Sequence, residues 1–267
     1  MPPHLYKAGF LALVSALCWG GTLAPAAAYP TSLIFAPTGE VAPRGKGNMS
    51  FYNAFYGGNV DSWTGLNVGI LPAMPLGDTG YRLPGLEVGL DLWATPGGEP
   101  PVKPLGNLKL GLIEEASWWP SCAVGFMSWG FLHPNKSLNF AYLATTKTLT
   151  WGGRDLGRTT LGLARVTPGG ADLFVPTWPL PTGQQAFFGG HEFPPVGPFS
   201  FAIDTVGGVS EISGTCLVMN VEIVPDTFLS LGYAIAHDRS LAYPDAYFIQ
   251  TYTNFDIAKA FLPQATE

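Results

Sequence analysis

Few side chains of this chain stand in arrangements that could make or break bonds. His191-Glu192, His237-Asp238 and Glu114-Glu115 bring titratable groups together, and His133, Cys122 and Cys216 complete the reactive residue types beyond the first thirty positions. A histidine beside a glutamate could serve a metal, but metal sites take ligands at i, i+4 on a helix or from several strands, and no such partners accompany His191. Glu114-Glu115 could suggest the carboxylate pair of a glycoside hydrolase. Neighbouring residues of a strand point to opposite faces, so the two cannot flank one bond, and they read as a tight turn. No GxSxG, P-loop, HExxH or dinucleotide fingerprint is present. A lipid hydrolase would need a Ser-His-acid set facing lipid, and none is visible. The expectation is a protein that is not an enzyme and has no cofactor and no metal site.

What would have to position any functional residue is a set of β-strands. Leu86-Glu87-Val88-Gly89-Leu90-Asp91-Leu92-Trp93 alternates leucine and valine with small or acidic residues, the period-two signal of a two-faced strand. Asn107-Leu108-Lys109-Leu110-Gly111-Leu112 repeats it, so that two adjacent strands put opposite charges on one face. The same pattern recurs at 199–204, 216–223 and 229–235, with Gly, Pro, Asn and Asp clusters between segments. Segments near 47–57, 61–72, 85–95, 103–115, 118–131, 137–149, 157–168, 184–193, 197–208, 211–224, 227–237 and 246–257 predict about twelve strands, within a range of about ten to fourteen. Connections after even-numbered strands are mostly short and those after odd-numbered ones longer, except for 73–84.

The first residues have the parts of a secretory signal: Lys7, an apolar run from Ala8 to Leu23, and Ala26-Ala27-Ala28 as a cleavage site near Ala28. An uncleaved anchor is the alternative. Export permits a disulfide, but Cys122 and Cys216 would have to pair across a bore, and two isolated small apolar residues is the simpler reading. Charged residues make up 12% of the chain and the net charge is −6, which excludes the basic footprint of a nucleic-acid binder. Beyond the signal no run of about 18 apolar residues offers a membrane helix. Alternating strands with one lipid-facing side are the other way to span a bilayer.

These readings converge on an all-β fold: a single antiparallel up-and-down membrane β-barrel in the cell outer membrane. The expected organisation is a signal peptide at 1–28, a periplasmic lead-in at 29–46, the barrel at 47–257 and a tail at 258–267. Trp63, Trp93, Trp118, Trp119, Trp129, Trp151, Tyr142, Tyr247 and Phe255 fall near strand ends, as interfacial girdles would. Glu87, Asp91, Asn107, Lys109, Asn139, Lys147, Asp204, Asn220 and Glu222 are the candidate lumen residues, either as a polar network filling the bore or as a selective pore lining. The competing architecture is a soluble exported β-sandwich binding glycan or surface polymer through exposed tryptophans. The two differ in whether Leu86, Leu90, Leu108, Leu112, Leu229 and Leu231 point outward all round or converge.

The run from Gly106 to Glu115, followed by Trp119-Pro120-Ser121-Cys122-Ala123-Val124-Gly125-Phe126, resembles outer-membrane barrel proteins linked to exopolysaccharide production, the YjbH-like group. In that group a strand ending in a Leu-x-Glu-Glu turn leads into a Trp-Pro-x-x-Ala-Val-Gly strand. Residues 247–257 resemble a barrel-closing strand of the kind read by the barrel-insertion machinery. The resemblance implies a porin-like structural or passive transport role, with outer-membrane lipid and small solutes or polysaccharide as partners. This chain is shorter than those proteins and continues past its closing strand through 258–267.

Overall fold

A computed structural model of the chain describes residues 32–75, 82–94, 102–130, 140–166, 185–207, 213–237 and 245–257. The expected signal peptide, His133, Asn139 and the expected tail at 258–267 lie outside the described residues, as does the side chain of Trp129. The strands are β1 (Lys46–Tyr56), β2 (Asn59–Leu71), β3 (Met74–Pro75), β4 (Arg82–Leu83), β5 (Gly85–Ala94), β6 (Val102–Ile113) and β7 (Ser121–Gly130), followed by β8 (Phe140–Trp151), β9 (Arg154–Val166), β10 (Gln185–Glu192), β11 (Phe199–Val206), β12 (Gly214–Val224), β13 (Thr227–Ala236) and β14 (Ala246–Asp256). Twelve of them form a closed antiparallel barrel in which each pairs with the next, β2 with β5 across the β3–β4 connection, and β14 closes on β1 from Lys46↔Asp256 to Phe55↔Tyr247. The short β3–β4 hairpin stands apart from the wall, within the long connection at 72–84.

Local chemistry sets the turns. Gly57-Gly58 and Gly152-Gly153 take positive φ at both positions (52° and 85°, 57° and 77°), the conformation that a two-residue hairpin loop needs to match strand twist. Both turns are therefore closed by residues without a Cβ. Chain direction puts the start of β1 and the end of β14 on one rim, the terminal rim, together with the turns at 114–120, 152–153, 193–198 and 225–226. β9 ends and β10 begins at the far rim.

The outer face is apolar around the whole circumference. Phe51, Leu66, Leu90, Leu108, Phe126 and Leu143 on β1, β2 and β5–β8 are exposed, as are Leu161, Phe187, Phe201, Leu217, Leu231 and Ile249 on β9–β14. Each barrel strand thus carries at least one large exposed apolar side chain. A soluble protein cannot leave so continuous an apolar belt in water, and a lipid-facing barrel must have one. The soluble sandwich is overturned: Leu90, Leu108 and Leu231 point away from the molecule, and the sheet closes on itself.

The aromatic girdle is half right. Trp118, Trp119 and Trp151 are 90%, 67% and 79% exposed at the terminal rim, and Tyr247 is exposed at the far rim. Trp63, Trp93 and Tyr142 instead point into the bore, because they share a strand face with the lumen residues Gly65, Asp91 and Ala144. Cys216 is buried on the lumen side of β12, whereas Cys122 alternates out of phase with the inward Ser121 and Ala123. The two thiols are free.

Candidate functional site

The bore is not empty. Residues 32–44, expected as a periplasmic lead-in, enter it from the terminal rim and form a strap through its middle. Pro37, Gly39 and Pro43 keep this stretch from becoming a helix, and a bend at its tip is closed by the Leu33 N–H donating to the Ala36 carbonyl at 2.9 Å. An irregular chain at membrane depth is tolerated only if protein groups satisfy its backbone. Here the barrel wall supplies them.

Asp204 of β11, 1% exposed, does most of this. One of its carboxylate oxygens, Oδ2, accepts the N–H groups of Ile34, Phe35 and Ala36 at 3.1, 2.7 and 2.9 Å. Glu87 of β5 accepts the Ala42 N–H at 3.0 Å, and Thr146 of β8 accepts the Gly39 N–H at 2.9 Å. Lys109 of β6 donates to the Glu40 carbonyl at 3.0 Å and to the Thr38 hydroxyl at 3.4 Å. Arg158 of β9 pairs with the Glu40 carboxylate and, at 3.5 Å, with Glu192 of β10. Gly39 lies so close to the wall that a Cβ there would meet the Ser121 carbonyl at 2.6 Å and the Thr146 amide at 2.7 Å.

Around the strap the remaining inward polar groups bond to one another. Asn67 donates to Asn48 at 3.4 Å, and Asn107 donates to Asp91 at 2.7 Å while accepting the Ser128 N–H at 2.9 Å. Ser128 has φ 57° at a register shift between β6 and β7, so Asn107 fastens a bulge. On the opposite side Asn220 bridges Ser200 and Ser230 at 3.2 and 2.6 Å.

The far half of the bore is aromatic. Trp63 and Trp93 stack at 4.9 Å with an interplanar angle of 6°, and the Lys103 ammonium sits 4.3 Å from the Trp93 ring. Tyr52 contacts Phe248 at 5.2 Å and meets the strap's Phe35 edge-on at 5.9 Å. Phe140, Tyr142 and Phe188 continue the cluster on β8 and β10, with Leu33 and Phe35 packed against it. Between strap and wall remains a cavity of about 310 Å³.

Of the predicted lumen residues, Glu87, Asp91, Asn107, Lys109, Asp204 and Asn220 face the bore and enter these networks. Glu87 and Lys109 stand directly opposite in the β5–β6 register and are each 3% exposed. Glu222 lies on the lumen side of β12, but its carboxylate accepts the Asp226 N–H in the turn that follows. Lys147 is on the outer face: Ala144 and Thr146 take the inward positions, and Lys147 bonds Glu115 of the 114–120 turn at 2.9 Å. Sequence reading missed Arg158, although Arg158-Thr159-Thr160-Leu161-Gly162-Leu163 alternates as clearly as β5 does. His191 is held by Thr159 at 2.9 Å and by the Leu156 carbonyl at 3.0 Å, and His237 meets Thr215 at 3.2 Å.

No family model and no curated protein matches the chain. Among solved structures it is similar to the KdgM porin, with a TM-score of 0.51 at 6% identity, over 78% of this chain and 99% of that one. The NanC porin gives 0.45 at 10% identity over 78% and 98%. An active-site mutant of the outer-membrane phospholipase A of Escherichia coli gives 0.45 at 11% identity over 91% and 97%. At such identities the likeness to the first of these shows a shared barrel fold.

Proposed function

We propose that this protein is a porin-like barrel of the bacterial outer membrane that passes small solutes passively, catalyses no reaction, and rests closed because its own N-terminal segment lies in the bore. The observation that carries this reading is the fastening of residues 34–42 by inward side chains of five strands, β5, β6, β8, β9 and β11. A structural barrel with no passage would need only side chains to fill its interior; here a separable segment does part of the filling. Even strand number and both barrel ends on one rim fit bacterial outer-membrane topology, with that rim periplasmic. The exopolysaccharide link implied by the YjbH-like resemblance draws no support from the matched structures, and a strapped bore favours small solutes over a polymer.

Planar-bilayer recording of the purified chain tests the proposal. Wild-type protein is expected to show low or rare conductance, and a variant lacking residues 32–42 a stable, larger one. A deletion variant that keeps heat-modifiable gel mobility yet conducts no more than wild type would overturn the transport reading. Recovery of the native protein outside the outer-membrane fraction would overturn the location.

A further inference from the structure

Two polar groups in the aromatic half of the bore stand apart from the networks described above. Asp61 of β2 is 4% exposed and Trp93 of β5 is 6% exposed. Neither the Asp61 Oδ1 nor the Trp93 Nε1–H has a hydrogen-bond partner among the described residues. Both residues line the same cavity of about 310 Å³. Buried polar groups without partners are rare in folded proteins, and those that occur call for an explanation, a bound molecule being one. In the aromatic part of that cavity the two atoms offer one acceptor and one donor beside Tyr52, Trp63, Phe140 and Phe188. The cavity also extends toward the terminal rim to Glu192 and Asn254, whose Oε2 and Nδ2 lack hydrogen-bond partners among the described residues as well.

We infer that this chamber is a binding site for a small, neutral, mainly apolar molecule carrying one hydrogen-bonding end, which donates to Asp61 Oδ1 and accepts from the Trp93 indole N–H. Three observations narrow the class. The walls around Asp61 and Trp93 are aromatic rings, which suit a single ring and its substituents. The polar groups nearest them, Asn67, Asn107 and Asp91, are already bonded within the ladder, which leaves few partners for the hydroxyls of a sugar. A cation is disfavoured by the Lys103 ammonium resting on Trp93. The inference does not require the bore to conduct.

Benzyl alcohol is a suitable probe and ethylbenzene its near-isostere without the hydroxyl. With full-length ¹⁵N-labelled protein in detergent, the Trp93 indole N–H resonance, assigned by its loss in Trp93→Phe, is expected to shift saturably with benzyl alcohol. Saturation-transfer NMR gives the affinity of each variant. Asp61→Ala and Trp93→Phe are each expected to weaken benzyl alcohol about tenfold, the scale of one buried hydrogen bond left unmade, and ethylbenzene is expected to bind wild type more weakly than benzyl alcohol. Heat-modifiable mobility confirms that each variant is folded; should one fail, the other decides. A shift that never saturates, equal binding of both probes, or affinity unchanged in the folded variants would overturn the site and leave a water-filled cavity.

Discussion

The two halves of the bore hold one strap by different means. Toward the terminal rim the contacts are directional: Glu87, Thr146, Lys109 and Arg158 each meet a particular N–H, hydroxyl, carbonyl or carboxylate of residues 38–42. Toward the far rim the side chains add contacts of shape, with Leu33, Ile34 and Phe35 packed among Tyr52, Phe188 and neighbouring apolar side chains while Asp204 holds the backbone of residues 34–36. Directional contacts fix where the strap lies, because a shift by one residue would strand buried N–H groups. Shape contacts exclude water but tolerate rearrangement more readily. A segment clamped by four strands in one half, and by a single carboxylate and packing in the other, can open from the second end without unfolding the wall.

The largest effect should come from cutting charge out of the clamped half. Lys109→Met leaves Glu87 buried opposite an apolar residue, and breaking a buried charge pair costs about 3–5 kcal/mol. Urea unfolding in lipid vesicles should show this as a global loss, and Lys109→Met with Glu87→Gln should recover much of it. Equal loss in single and double variants would mean that the two charges are not coupled. Asp204→Ala comes next and should act locally. Removing the acceptor of three N–H groups weakens strap docking by about 3 kcal/mol, taking about 1 kcal/mol for each bond. Protease cleavage within 32–44 should rise at least tenfold while wall unfolding moves little. A resistant strap in Asp204→Ala would place its anchorage in the aromatic packing around Phe35.

Phe35→Ala addresses that packing. The ring is only partly buried, so roughly 1–2 kcal/mol is expected from the lost apolar area. The same protease assay should show a smaller gain than Asp204→Ala gives. If Phe35→Ala released the strap more than Asp204→Ala, packing and not the carboxylate would be the main hold on this end of the strap.

The asymmetry also explains what the sequence disclosed. Strand alternation disclosed the wall and the charged handles, since Glu87, Asp91, Lys109 and Asp204 interrupt runs of large apolar residues and must therefore face the lumen. It could not disclose what they hold: Thr38-Gly39-Glu40 has no periodicity, and its partners lie up to 118 positions away. Nor could it separate Trp93 from Trp151, because a tryptophan near a strand end suits an interface or an aromatic chamber equally, and only register decides. Lys147 misled for a related reason: a charge in an apolar strand reads as inward, but one near a rim can reach a turn carboxylate from the outer face.

That rim pair gives the smallest predicted effect and a control for the rest. Burial alone would lift the Glu115 carboxyl, but the Lys147 ammonium together with the N–H and hydroxyl of Thr148 outweighs it and holds the group below the usual value of 4.5. A carboxylate whose pKa is lowered by folding adds stability above its unfolded value, and that addition is lost as pH falls through the folded one. Glu115→Gln should therefore lower stability at pH 7 by under about 1 kcal/mol, the range of solvent-screened pairs. Urea midpoints of variant and wild type should converge as the pH is taken well below 4.5. A gap that persists in acid would show that Glu115 acts through the shape of the turn, whereas convergence would set the solvated rim apart from the buried clamp, where removing one charge is expected to cost several times more.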